Sequence, residues 1–188
     1  EGVQPIVGCQ VSVAYEVPGP GEKAKPAAPL VLLAKNEVGY LNLMKLNSCL
    51  YIDKAGALPQ VTLEELERFS AGVICLTGGS DGPLGRMILA GHLPKARALV
   101  QRLAAAYPDR LYVELQRHPG EGGALPEGEA ASESAMVDLA YELGLPLVAT
   151  NDVYFPKAEM YLAHDAMICI SEGAYVDQSQ PRRRLTPQ

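Results

Sequence analysis

The sequence lacks any apolar run close to the roughly 20 residues that a helix needs to cross a bilayer. Its first five residues carry no basic segment, so the pattern of a secretory signal peptide is missing as well. We therefore expect an intracellular protein without a membrane-spanning segment. The chain also lacks an initiator methionine, which indicates that it begins inside a longer protein.

An excess of basic residues is absent too. The chain has 16 lysines and arginines against 22 aspartates and glutamates, a net charge of −6. A predominantly basic surface for binding nucleic acid is therefore not expected of this chain by itself. The 188 residues are 48% hydrophobic and 20% charged, which predicts one domain of medium size with a packed core.

Compact metal and catalytic motifs are also missing. The four cysteines, Cys9, Cys49, Cys75 and Cys169, form no C-x-x-C pair, which argues against a zinc knuckle. A disulfide framework is not expected in a chain of this length, so we interpret them as buried free thiols in a reducing compartment. Neither the G-x-G-x-x-G nor the H-E-x-x-H pattern occurs.

Short apolar runs alternate with segments of helical periodicity along the chain. Strands are predicted at residues 3–7, 11–15, 30–34, 73–77, 111–115 and 145–150. Helices are predicted after the N-cap Asn36, after the capping box Thr62-x-x-Glu65, over residues 83–89, from Pro94 onwards, before the C-terminal cap Gly144, and along the stripe of Met160, Ala163, Met167 and Ile170. This alternation is typical of an α/β domain with a parallel sheet, either open or closed into a barrel.

Polar residues follow several predicted strands, at the positions where parallel α/β folds collect their chemistry. Asn151 and Asp152 come directly after the strand at 145–150. Asp152 is a candidate metal ligand or general base, and the alternative is a capping turn before Pro156. Residues 78–82, between a strand and a helix, form either a phosphate cradle or a plain tight turn.

The three histidines differ in their expected surroundings. His118 follows a predicted strand and is the histidine that we expect nearest to the mouth of a barrel. We interpret His92 as a solvated loop residue and His164 as a packed, hydrogen-bonded helical residue, with a catalytic His164 as the alternative. The basic run at residues 182–184 either contacts phosphate or is a solvated terminal run of charge.

Several segments, taken in order, resemble one family. They are residues 4–10 (QPIVGCQ), 30–43 (LVLLAKNEVGYLNL), 72–79 (GVICLTGG), 108–116 (PDRLYVELQ), 145–153 (LPLVATNDV) and 163–166 (AHDA). They resemble the PHP (polymerase and histidinol phosphatase) domain of the α subunit of bacterial DNA polymerase III, the replicative family C polymerase. The resemblance covers nearly the whole chain. Its motifs at 30–43 and 145–153 are similar to the polymerase branch rather than to free-standing PHP phosphatases.

The resemblance implies an α/β fold of a particular kind, the distorted (βα)7 PHP barrel. The family's first motif, an H-x-H at the end of the first strand, should precede Glu1, so the first βα units are expected to be missing from this chain. Residues 1–173 would then form an N-terminally incomplete PHP barrel. Residues 174–188 would be a polar tail or a linker toward the polymerase palm.

The resemblance also implies a degenerate metal site. Active members of the family hold a trinuclear metal cluster at the barrel mouth with His, Asp, Glu and Cys. Gln10 stands where the family has an acidic ligand, and Pro29 and Tyr154 stand where it has histidines. Asp152 alone is unchanged among these four positions, so we expect weak metal binding or none. No catalytic residue and no confident metal ligand is assigned, and Asp152 is the remnant of the site.

The implied function is a structural and protein-docking module of the DNA polymerase III α subunit, with the proofreading exonuclease as partner and other replisome subunits bound through the parent chain. Nucleotidyl transfer, DNA contact and Mg²⁺ would belong to other domains of that DNA-directed DNA polymerase, in the bacterial cytoplasm. No cofactor is expected in this region. The alternative is a metal-dependent phosphoesterase, an intrinsic 3′–5′ exonuclease or a pyrophosphatase, with Zn²⁺ or Mn²⁺ held by Asp152, His118 and ligands outside this chain.

Overall fold

A computed structural model describes residues 2–16, 26–52 and 59–178. The strands are β1 (Gly8–Ala14), β2 (Ala28–Ala34), β3 (Val61–Thr62), β4 (Val73–Leu76), β5 (Leu111–Gln116) and β6 (Leu147–Thr150). The helices are α1 (Glu37–Cys49), α2 (Leu63–Arg68), α3 (Pro83–Leu89), α4 (Leu93–Ala106), α5 (Glu127–Leu143) and α6 (Tyr161–Glu172). Short 3-10 turns occupy Glu121–Gly123 and Ala158–Met160. The basic run at 182–184 lies outside the described residues.

The strands form one mixed six-stranded sheet in the order β3-β1-β2-β4-β5-β6. β2 runs antiparallel to both of its neighbours, β1 and β4, and the other pairs are parallel. The α/β class is confirmed, but the expectation of a parallel sheet is wrong at β2. The apolar run at 30–34 fits a parallel and an antiparallel strand equally well, so the sequence does not reveal the direction of β2. Closure into a barrel stays a prediction.

The two faces of the sheet differ in burial. One face is buried together with the helices in a single core, which includes Val11, Val13, Leu30, Leu32, Cys75 and Val113 from the strands and Leu43, Leu46, Leu99, Leu103, Met136 and Leu139 from the helices. On the opposite face Gln10 and Ser12 are exposed, and Pro29, Val31 and Tyr112 are half-buried. Burial of one aliphatic side chain stabilises a fold by about 1.5–3 kcal/mol, so the first face holds the sheet and the helices together.

The start of the chain differs from the prediction. Residues 3–7 were expected to form a strand, but residues 2–7 are exposed and have no regular structure. Pro5 has no N–H group for a ladder, and the described contact of this segment is one hydrogen bond from Ala34 N–H to the carbonyl of Val7, at 2.8 Å. β1 begins instead at Gly8, and Gln10 pairs with Val31. Gln10 therefore lies within a strand and not at the C-terminal end of one.

The buried face of the last helix also differs from the prediction. The predicted stripe is largely accessible, since Met167 is 67% exposed and Ile170 81% exposed. The buried residues of α6 are Asp165, Ile168 and Cys169. The predicted stripe and the buried residues both fit a helical period. Because Asp165 is charged, the sequence pattern did not indicate that its side of the helix is buried. None of the helices in the described ranges is long and apolar enough to span a membrane.

The local signals at helix ends are confirmed. Asn36 Oδ1 accepts a hydrogen bond from Gly39 N–H at 3.0 Å, which makes Asn36 the N-cap of α1. Thr62 and Glu65 form the predicted capping box at the start of α2. Gly144 ends α5 with a φ of 65°, a left-handed conformation that favours glycine. These signals are local in the chain, which explains why they can be read without the tertiary structure.

The close packing of α1 gives a first prediction. A Cβ on Gly39 would overlap the backbone carbonyl of Gly72, in the turn before β4. We expect Gly39→Ala to destabilise the fold by about 1–3 kcal/mol. The control is Gly128→Ala in α5, where a Cβ meets no atom nearer than 3.7 Å, so a neutral or slightly stabilising effect is expected. Thermal unfolding measures both, and equal midpoints would contradict the packing.

Candidate functional site

A cavity of about 690 Å³ lies at the C-terminal ends of β4, β5 and β6. These three strands are parallel, so the loops that follow them meet at one edge of the sheet. The cavity is lined by Ser80, Asp81, residues 116–119, Pro126, Gly128, Glu129 and residues 151–158. Polar groups from three loops and from the start of α5 thus face a common space.

His118 is held at this cavity by α5 and by the loop after β6. Its Nδ1 lies 2.6 Å from Glu129 Oε1, and its backbone N–H donates to Glu129 Oε2 at 2.9 Å. The backbone N–H of Asp152 donates to His118 Nε2 at 3.2 Å. Because a donor faces Nε2, that nitrogen carries the lone pair and Nδ1 carries the proton. His118 is therefore fixed as one tautomer, with both ring nitrogens in use.

The same face of α5 holds the neighbouring Arg117. Glu133, one helical turn after Glu129, accepts two hydrogen bonds from the Arg117 guanidinium, at 2.9 and 2.5 Å. This contact lowers the pKa of Glu133 and raises that of Arg117. Both side chains are accessible to solvent in part, so the pair contributes little stability. Its geometric effect is to align the loop after β5 along α5.

Asp152 and Tyr154 contact each other in the cavity wall. The Tyr154 hydroxyl donates to Asp152 Oδ2 at 2.8 Å. The Tyr154 ring lies 5.2 Å from the ring of His164 in α6, and Phe155 lies 5.6 Å from the same ring. His164 thus packs in an aromatic cluster, which agrees with the prediction of a packed helical histidine. The predicted hydrogen bond is not found at its Nδ1, which is buried and has no partner among the described residues.

The structure brings together only some of the residues singled out above. Asp152, Tyr154 and His118 line the cavity, whereas Gln10 and Pro29 do not. Gln10 and Pro29 lie on the accessible face of β1 and β2. Among the described residues no three His, Cys, Asp or Glu side chains are grouped as a metal site would need. The degeneracy of the metal site stays a prediction.

The described cysteines fit the reading of free thiols. None of the four forms a disulfide with another. Cys75 and Cys169 are buried, and Cys9 and Cys49 are half-buried. Burial, and in second place the charge of Glu114, raises the pKa of the Cys75 thiol to about 12. Burial also raises the pKa of Cys9. Both thiols therefore stay protonated at neutral pH and are poor nucleophiles.

Residues 78–82 also fit a sequence pattern that is neither the phosphate cradle nor the tight turn considered in the sequence analysis. They fit the G-x-S-x-G pattern, which places nucleophilic serines on a strained turn between a strand and a helix. Ser80 does line the cavity together with His118. However, His118 Nε2 accepts from Asp152 N–H and not from Ser80, and Asp109 is the one described residue other than glycine with a positive φ. The turn therefore lacks the strained serine and the serine–histidine bond of that chemistry.

The fold and the cavity define an α/β domain whose candidate site lies at the C-terminal ends of its strands. The family model of the PHP domain matches residues 1–118, which is more than half of the chain. The chain belongs to the PHP domain family. This finding confirms the family resemblance described from the motifs.

The relatives identify the branch of the family. The DNA polymerase III subunit alpha of Caulobacter vibrioides is 47% identical over 189 residues, covering 100% of this chain and 16% of that protein. The proteins of the same name from Rickettsia prowazekii and Neisseria meningitidis are 36% and 35% identical, over 99% of this chain and 15% and 16% of their own length. The chain thus spans about one sixth of these relatives. It matches the region of DNA polymerase III alpha subunits that contains the PHP domain.

The hydrogen bonds of His118 give a second prediction. We expect His118→Ala to destabilise the fold by about 1–3 kcal/mol, because Glu129 and the Asp152 N–H both lose a partner. His92→Ala is the matched control, since His92 is exposed and makes no side-chain capping bond, and we expect a change within about 0.5 kcal/mol. Thermal unfolding tests both, and a neutral His118→Ala would mean that the loop is held by other contacts.

Proposed function

We propose that this chain is the PHP part of a replicative DNA polymerase III α subunit in the bacterial cytoplasm, and that it acts there as a structural and protein-docking module. Its metal site is degenerate on this proposal, and it performs no phosphoester chemistry. The proofreading exonuclease is the partner that docks on it. Nucleotidyl transfer with Mg²⁺ and contact with DNA take place in other domains of the longer protein.

The observation that carries the proposal is that the polar groups of the cavity form hydrogen bonds within the chain. The lone pair of His118 Nε2 accepts from Asp152 N–H, and Asp152 Oδ2 accepts from Tyr154. Glu129 accepts two hydrogen bonds from His118. The Nε2 lone pair of His118 and one carboxylate oxygen of Asp152, both groups of a kind that can bind a metal, are therefore already occupied by hydrogen bonds within the chain. Such internal bonds hold the loops after β5 and β6 and the start of α5 together without a metal ion.

The residues at the other expected metal positions support the same reading. Gln10 supplies a neutral amide in place of a carboxylate, and Pro29 has no side-chain donor. Clustered divalent cations need anionic ligands to offset their charge, so this combination disfavours a metal cluster. Without metal-bound hydroxide, the metal-dependent hydrolysis of a phosphoester lacks its nucleophile.

Accessible apolar side chains support a docking role. Leu162 is 69% exposed, Met167 67% and Ile170 81%, all on α6. Apolar residues grouped on one exposed helix face are typical of a surface that contacts another protein segment. The net charge of −6 agrees with contact to protein rather than to the phosphates of DNA.

The metal content of the protein tests whether the site is degenerate, both in the unaltered chain and in a variant designed to gain metal. We expect the full-length protein that contains this chain to hold essentially no metal in this domain after equilibration with Zn²⁺ or Mn²⁺ and dialysis. The triple variant Gln10→Glu, Pro29→His and Tyr154→His should gain about one metal ion per chain or more, because it restores anionic and imidazole ligands. Mass spectrometry of the metals measures the difference.

The control places the same three residue types at neighbouring positions, as Ser12→Glu, Ala27→His and Val153→His. This variant should gain no metal if the three original positions form the site. Two or three tightly held metals in the unaltered protein would contradict the proposal. In that case ligands outside this chain would compensate for Gln10, Pro29 and Tyr154.

A second candidate function is a metal-dependent phosphoesterase, either a 3′–5′ exonuclease or a pyrophosphatase. The observation that favours it is the presence of Asp81, His118 and Asp152 in one cavity. Turnover of p-nitrophenyl phosphate with Mn²⁺ or Zn²⁺ that is lost in Asp152→Asn, but kept in the exposed control Asp138→Asn, would establish it. No turnover above background in the unaltered protein would exclude it.

A further inference from the structure

Glu114 is a buried carboxylate that lies behind the cavity rather than in its lining. It belongs to strand β5, and 2% of it is exposed. β5 lies between β4 and β6, which end at the cavity. Lone carboxylates are rarely buried this completely, and those that are buried make hydrogen bonds. The partners of Glu114 indicate what it does.

The contacts of Glu114 begin where the main-chain ladder between β4 and β5 ends. The paired residues of these strands are Cys75 with Leu111 and Leu76 with Tyr112. Beyond them, Glu114 N–H donates to Thr77 Oγ1 at 2.9 Å, and Gly78 N–H donates to Glu114 Oε2 at 2.8 Å. Side chains thus continue the ladder past its last main-chain pair and hold the start of the turn at residues 78–82.

The second carboxylate oxygen reaches the opposite neighbour. The Thr150 hydroxyl, on the last residue of β6, donates to Glu114 Oε1 at 2.5 Å. Gln116 Nε2 in turn donates to Thr150 Oγ1 at 3.3 Å. One carboxylate therefore joins the turn after β4 to the end of β6 across the strand between them.

We propose that Glu114 is a positioning residue for the cavity, which sets the turn carrying Ser80 and Asp81 relative to the β6 end carrying Asn151 and Asp152. Glu114 itself touches no ligand in the cavity. It acts through Gly78 and Thr150, each one or two residues away from cavity-lining positions. The role is independent of the proposed function, because the same walls bound the cavity whether it holds a metal or not.

The chemistry of a carboxylate suits this task. One donor lies in the turn after β4 and the other at the end of β6, so they need two acceptor oxygens that are rigidly joined, and a carboxylate provides them. An alanine at this position would leave the buried N–H of Gly78 and the half-buried hydroxyl of Thr150 without their acceptor, and the loss at the buried N–H is the more costly one. A glutamine retains one acceptor oxygen for Gly78, while its amide can donate to Thr150 Oγ1.

Amide hydrogen exchange of the full-length protein that contains this chain tests the proposal. In Glu114→Ala we expect exchange to rise about tenfold or more in residues 78–82 and in residues 151–154 together. In Thr150→Val, whose change is confined to β6, the turn at 78–82 should also exchange faster, because Glu114 loses one of its two anchors. Glu114→Gln should restore exchange in both segments to within about threefold of the unaltered protein.

The control is Glu142→Ala, which removes a carboxylate from an exposed pair with Arg97 on the surface of α4 and α5. It should change neither segment. If Thr150→Val leaves residues 78–82 unchanged, the coupling through Glu114 is overturned. Faster exchange by the same factor in α1 as in the two segments would likewise overturn it, since that result indicates a general loss of stability. Thr150→Val and Glu114→Gln keep the test decisive if Glu114→Ala fails to fold.

Discussion

The burial of one face of the sheet against the helices is the interaction on which the other features depend. Side chains such as Val11, Val13 and Leu30 alternate with less buried ones along β1 and β2, and together with Val113 they share one core with residues of α1, α4 and α5. Each buried aliphatic side chain stabilises the fold by about 1.5–3 kcal/mol, so a register slip by one residue would move a whole row of them to the accessible face. This constraint fixes where each strand ends.

The ends of the strands in turn decide which polar groups meet. β4, β5 and β6 run in the same direction, and their C-terminal loops converge on one cavity with the start of α5. At this cavity, hydrogen bonds rather than apolar contacts determine how the loops are positioned. His118 joins Glu129 to the Asp152 loop, and Glu114 joins the turn after β4 to Thr150. The wall of the cavity is thus defined by hydrogen bonds between groups of this chain.

Prediction from the sequence succeeded where the signal was local. The helix at 83–89, the capping box of Thr62 and Glu65, and the end of α5 at Gly144 depend on residues close in the chain. It failed where a distant partner decides the outcome. Residues 3–7 have the composition of a strand but lie outside every ladder of the described sheet, and α6 buries Asp165 and Cys169 instead of Met167 and Ile170. The pairing of His118 with Glu129 was likewise not predictable, because the loop between them has no periodic pattern.

The sequence by itself determined the α/β class, most element positions and, through its motifs, membership of the PHP family. These properties follow from short-range periodicity, capping chemistry and motif order, all of which are written along the chain. The tertiary structure alone decided the antiparallel direction of β2, the position of Gln10 inside β1, and the bonds that tie Asp152 and Glu114 to their partners. Strand direction and side-chain contacts depend on which segments meet in space, and that is settled by packing of the whole sheet against its helices.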